Sequence, residues 1–210
     1  KGYDVLALSM PTLGMNSKPV VNIPNLGNIK IDKPYKLSLL KKNEFNYLQY
    51  FLIPPSKFSE YLLDRNNYDS ISMVGIGTGG WLTTLTSAID TNIKNSFSVS
   101  GTLPLALQND DFGKSKKYNF ENDPSFYKRF NYLDLYLLGS SGIDRLHRQI
   151  YIYKNRQRFA GNRFNIFSQD LVSASSNLEH SNFDIFVDDE SVANEISKLI
   201  LDYIDFMITK

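Results

Sequence analysis

Apolar and polar residues follow one another along the 210-residue chain in a pattern that predicts strands separated by helices. The densest stretch runs from Ile71 to Ile89, ISMVGIGTGGWLTTLTSAI. Ile71, Met73, Val74 and Ile76 have the apolar, β-branched density of a buried strand, and Gly75, Gly77, Gly79 and Gly80 permit a turn too sharp for side chains. Trp81, Leu82, Leu85, Ala88 and Ile89 then recur at helical spacing. The stretch reads as strand, tight turn, helix. Phe97 to Ser100, closed by Gly101, reads as a second short buried strand, and two strands joined through a helix at this spacing form a parallel βαβ unit.

Further strands are expected at Asp4 to Met10, which ends on Pro11, at Gln149 to Lys154 and at Phe183 to Val187. Between Ser17 and Tyr35, Pro19, Pro24, Pro34 and Gly27 indicate a loop with at most a short strand around Ile29 and Ile31. Leu37 to Leu52 fits a helix and a strand equally well. Pro54-Pro55 should stop whatever precedes it, and Ser56 should cap a helix running to Asp64. Residues 108–124 form a polar excursion; Phe126 to Leu138 and Ser168 to Leu178 read as helices. The last helix is the clearest, since Val192, Ile196, Leu199, Ile200, Tyr203, Ile204 and Met207 repeat every three or four residues from Ser191 onward. The sum is an α/β fold, a mainly parallel sheet with helices on both faces, in a single domain over residues 1–210.

Composition narrows the function without naming it. Hydrophobic residues make up 42% and charged residues 21%, an ordinary globular balance. With 23 basic against 22 acidic side chains the net charge is +1, so no global field draws the chain to nucleic acid. No cysteine is present, which removes disulfide and thiolate chemistry and fits any compartment. No apolar run approaches the ~20 residues of a membrane span. The chain opens directly on a strand pattern with no initiator methionine, as a fragment or processed piece would.

The GIGTGGW stretch, with its following threonines and the SVSG strand, resembles the nucleophile elbow of the α/β-hydrolase superfamily, closest to bacterial esterase-type members. The likeness is carried by residues 70–105. It implies a hydrolase-like fold lacking its first strands, with a cap-like excursion over residues 104–142. In that frame Gly75 and Gly79 are the flanking small residues, and Gly77 stands where the elbow carries its serine. The acid would follow the strand after the cap and the histidine the last strand; the nearest equivalents are Asn155 and Asn194. The loop that usually supplies one oxyanion-hole amide would lie outside the chain. The resemblance therefore implies a catalytically inactive protein acting by binding a small molecule or a partner protein, with no cofactor.

Competing chemistry is weaker. Thr78 is an alternative nucleophile for an esterase-type hydrolase, but a β-branched side chain at a strained turn has stiff rotamers, and Ile76 would crowd it. Gly75, Gly77 and Gly80 match the bare G-x-G-x-x-G spacing of a dinucleotide site, yet the next strand ends in Ser100-Gly101 where that site needs an acid. His147 and His180, the chain's only histidines, precede their expected strands and so belong at the end of the sheet opposite a ligand crevice. Asp110, Asp111, Glu121 and Asp123 are expected to be solvated acids, with no histidine beside them to complete a metal site.

Overall fold

The computed structural model describes residues 2–41, 46–65, 68–108, 121–155, 159, 161–192 and 195–210. Regular structure begins with a hairpin, β1 (Val20–Ile23) paired antiparallel with β2 (Gly27–Lys30). The main domain follows as α1 (Gln49–Asp64), β3 (Ile71–Ile76), α2 (Thr78–Ile89), β4 (Ile93–Val99), α3 (Pro124–Tyr127), α4 (Tyr132–Ser140), β5 (Leu146–Ile152), α5 (Ser168–Asn177), β6 (Phe183–Asp188) and α6 (Lys198–Thr209). Strands β3-β4-β5-β6 lie side by side in that order, all parallel. Helices cover both faces, as the alternation of strands with helical periods requires.

The two faces differ in chemistry. On one, Phe97, Val99, Leu146, Ile150 and Ile152 close on Ile200 and Ile204 of α6, an apolar layer in which each buried side chain contributes about 1.5–3 kcal/mol. Ser197 caps that helix by accepting from the Ile200 N–H at 3.2 Å. On the other face, β4 and β5 present Ser96, Ser98, His147 and Gln149 to α2 and α4, all buried. Small residues let α2 lie very close: a Cβ on Gly80 would meet the Gly101 Cα at 2.8 Å and the Gly75 carbonyl at 3.0 Å. Larger apolar residues, Phe51, Trp81, Leu85, Tyr136 and Phe183 among them, pack around this polar strip.

Most of the strip is hydrogen-bonded; the Ser98 hydroxyl, among the described residues, is not. The Gln149 amide donates to Thr84 Oγ1 at 3.0 Å and to His147 Nε2 at 2.8 Å, while Thr102 Oγ1 donates to the Gln149 carbonyl and accepts from the Tyr136 hydroxyl. With Nε2 accepting, His147 is left a proton on Nδ1, which donates to Ser96 Oγ at 2.7 Å. Tyr136, His147 and Phe183 stack on one another, with ring centroids 5.6–6.1 Å apart.

Several expectations are corrected. Residues 4–10, although Val5, Leu6 and Leu8 have strand character, form no ladder with any described strand, the edge strand β3 included. Residues 20–30 form a hairpin, because Asn25 and Gly27 supply the left-handed backbone that turns it. Helix α1 starts at Gln49 and runs through Pro54 and Pro55. These prolines remove two ladder bonds, but Phe51, Pro55 and Ser59 are buried and hold the helix together by packing. Strand β5 begins at Leu146, so His147 is a core residue of a strand where a loop histidine was expected. Phe126 to Leu138 is broken into α3 and α4, since Asn131 starts a new helix with a reciprocal cap to Asp134. The last helix begins at Lys198 because Ser197 caps it there, leaving Val192 exposed. Among the described residues, no helix is long and apolar enough to cross a membrane.

Two outcomes follow. Gly101→Ala drives a Cβ into the Gly80 main chain and should lower stability to urea by about 1–3 kcal/mol or more, without changing the end points of the far-ultraviolet spectrum. Burial, aided by the charges of Arg148 and Arg145, lowers the His147 pKa to about 3 from its ordinary 6.5. Below pH 6.5 the unfolded chain therefore binds more protons than the folded one, so stability from the neutral ring is whole above that pH and lost as pH falls toward 3. Urea titrations from pH 7 to 4 should show a decline that is shallower in His147→Gln, by up to about 1.4 kcal/mol per pH unit.

Candidate functional site

The turn between β3 and α2, at the carboxyl end of the sheet, is made at a residue with positive φ. Gly77 has φ 57° and ψ −122°, a conformation open to glycine and strained for other residues. Its N–H donates to the Val99 carbonyl at 2.9 Å and its carbonyl accepts from the Trp81 N–H at 3.0 Å, so the strand ends and the helix begins within one residue. Ser100, at the same end of neighbouring β4, also has left-handed backbone, φ 44°. Among the described residues its buried hydroxyl has no hydrogen-bond partner. Two adjacent strands thus end in residues held at positive φ, where an α/β sheet places its ligand crevice.

Thr78 opens α2, and its hydroxyl donates to Glu121 Oε1 at 2.7 Å. Glu121 is fully buried. Its carboxylate stands at the amino end of α2, where the helix dipole favours negative charge. A relay of hydroxyls fixes it from behind: Trp81 Nε1–H donates to the Tyr127 hydroxyl at 2.9 Å, Tyr127 to Tyr132 at 2.8 Å, and Tyr132 to the Glu121 main-chain carbonyl at 2.9 Å. Burial raises the pKa of both tyrosines, leaving them neutral donors. The chain's own carboxylate therefore closes the turn.

The remaining sequence candidates are placed apart. Asn155 lies just past β5 and is fully buried, its N–H bonded to the Ile152 carbonyl at 3.0 Å. Asn194 lies outside the described residues. Asp188, at the end of β6, accepts from the Glu190 and Ser191 N–H groups and from the Ser191 and Ser197 hydroxyls. Burial alone would raise its pKa, but these bonds outweigh it and hold the carboxyl below its ordinary range. Asp188 is thereby committed to seating α6. His147 bonds Ser96 and Gln149, and His180, more than half exposed, sits 3.3 Å from Glu179. Of the four acids weighed for a metal, Asp110 and Asp111 lie outside the described residues, Glu121 meets Thr78, and Asp123 meets Lys41 at 3.2 Å.

The pairing of Thr78 with Glu121 was not legible in the sequence. The two are 43 residues apart across a polar stretch, and Glu121 stood out only as one acid among several. Ser100 carried no signal beyond the glycine after it. Thr78→Val takes the hydroxyl from a buried carboxylate and should cost about 1–3 kcal/mol in urea unfolding, whereas Thr78→Ser should stay within about 0.5 kcal/mol of the parent.

Comparison of the chain with protein-family models, with curated proteins and with solved structures finds no match, so the functional reading rests on this geometry.

Proposed function

We propose that the chain is an α/β-hydrolase-like protein without a working triad, acting by binding a ligand or partner at the carboxyl end of its sheet. The observation that carries this reading is Gly77: the strained strand-to-helix position at which a hydrolase holds its nucleophile has no side chain here. Three further observations agree with it. Asn155, the equivalent of the acid, is a neutral amide, and both histidines make their bonds away from the turn. Ser100, with a buried hydroxyl free to accept or donate, supplies polarity beside the turn for a bound molecule.

The bond from Thr78 to Glu121 favours a second reading, an esterase-type hydrolase with Thr78 as nucleophile and Glu121 as base. Against it, Thr78 lies one residue beyond the strained position, already within α2, where its stiff χ1 limits how its oxygen approaches an acyl carbon.

Fluorophosphonate labelling and hydrolysis of short-chain nitrophenyl esters separate the two. The parent protein and Gly77→Ser should both remain unlabelled and inactive, since a serine without a base is a weak nucleophile. Labelling of the parent that disappears in Thr78→Val would establish the esterase instead, and labelling of Gly77→Ser alone would reveal a surviving base near residue 77.

A further inference from the structure

Charge is unevenly distributed along the chain. Residues 5–43 hold six lysines and a single acid, Asp32, a charge of +5, so the remaining residues carry −4 within the overall +1. Two of those lysines are spent inside the protein: Lys36 pairs with Asp32 at 2.7 Å and Lys41 with Asp123 at 3.2 Å. Lys18, Lys30 and Lys33 are exposed, and none of them meets an acid among the described residues.

The β1–β2 hairpin fixes where two of these cations point. Val21, Ile23, Ile29 and Ile31 turn inward and anchor it to the larger core. Val20 stands opposite Lys30 in the ladder, and the Ile31 N–H donates to the Pro19 carbonyl at 2.8 Å, which extends the pairing beyond Val20. Side chains alternate along a strand, so Lys18, Val20 and Asn22 share the outer face with Asn28 and Lys30. All five are exposed, and the Asn22 amide donates to Asn28 Oδ1 at 2.9 Å across the pair. Asp32, the next residue on that face, is neutralised by Lys36.

Aliphatic side chains accompany the lysines. Val20 is 63% exposed, and Leu26, at the hairpin's tip, is 57% exposed. Leu13 and Met15 project from the turn that leads into Lys18, and the Asn16 amide fixes that turn by donating to the Ser9 and Met10 carbonyls. Cations beside exposed aliphatic groups match a surface that is negative outside and apolar beneath. Nucleic acid fits less well. Residues 11–41 hold no arginine and one aromatic, the half-buried Tyr35, so bases would find neither a guanidinium fork nor a stacking platform.

We infer that the hairpin docks the protein on an anionic lipid surface, with Lys18 and Lys30 against the headgroups and Val20 and Leu26 entering the interfacial layer. Each lysine within a Debye length of such a surface, about 8 Å, strengthens binding about fivefold, so the contact is reversible and sensitive to salt. The inference is independent of Gly77 and of whether the protein is catalytic.

The test is co-sedimentation with vesicles of phosphatidylcholine, with and without phosphatidylserine. Binding is expected only where phosphatidylserine is present, and should weaken at least about tenfold between ~0.1 M and ~0.5 M salt. Lys18→Glu combined with Lys30→Glu should weaken it at least about tenfold, whereas the same reversal on α1 and α6, Lys57→Glu with Lys198→Glu, should leave it within about twofold. Leu26→Asp should weaken binding to vesicles as well, an effect that a soluble polyanion would not show. The comparison of vesicle compositions needs no altered protein, so it decides the matter even where a variant misfolds. Absence of phosphatidylserine-dependent binding, or equal loss in the α1 and α6 reversal, would overturn the inference. So would binding that ignores Leu26→Asp and is matched by a duplex oligonucleotide.

Discussion

Everything at the carboxyl end of the sheet depends on how closely α2 approaches β3 and β4. Gly75, Gly80 and Gly101 leave no room for a Cβ, and the neighbouring strand positions are serines. The close approach is what makes the turn at Gly77 so short, with the last strand bond to Val99 and the first helix bond to Trp81 on one residue. It also forces Ser100 into left-handed backbone, since the chain leaving β4 must pass under the same helix into Gly101. The strain at the candidate site thus goes with the packing between the glycines that flank it.

Much of the fold was legible because its signals are local. Strand β3 matches its sequence pattern residue for residue, and the glycine turn and helical spacing of α2 follow from the same nineteen residues. A mainly parallel sheet followed from strand patterns at Ile71, Phe97, Gln149 and Phe183 separated by helical ones; the order of the strands did not. Local signals failed where tertiary packing decides. Residues 4–10 have strand propensity, but propensity does not create a partner. Pro54 and Pro55 look like a helix stop, and the burial of Phe51 and Pro55 overrides them. The site was legible only as a backbone shape. Glu121 reaches Thr78 through a fold that no spacing in the sequence encodes.

The turn and the open edge of β3 are two features of one short strand, and they pull in different chemical directions. At its end, β3 meets a polar, strained, closed-off corner in which Glu121 supplies the negative charge. Along its side, it offers an apolar edge and free main-chain groups.

The polar strip beneath α2 has a consequence for positional accuracy. Apolar faces slide across one another at small cost, and a helix seated only on leucines has many nearly equivalent positions. Thr84 instead reaches Gln149, 65 residues away in the chain, and Gln149 in turn engages His147. A shift of α2 by a single residue would break its bond to that network and leave buried polar groups unsatisfied. The location of the turn at the start of the helix is therefore indexed by hydrogen bonds on β5, much as a key is read by pins along its whole length and not at its tip.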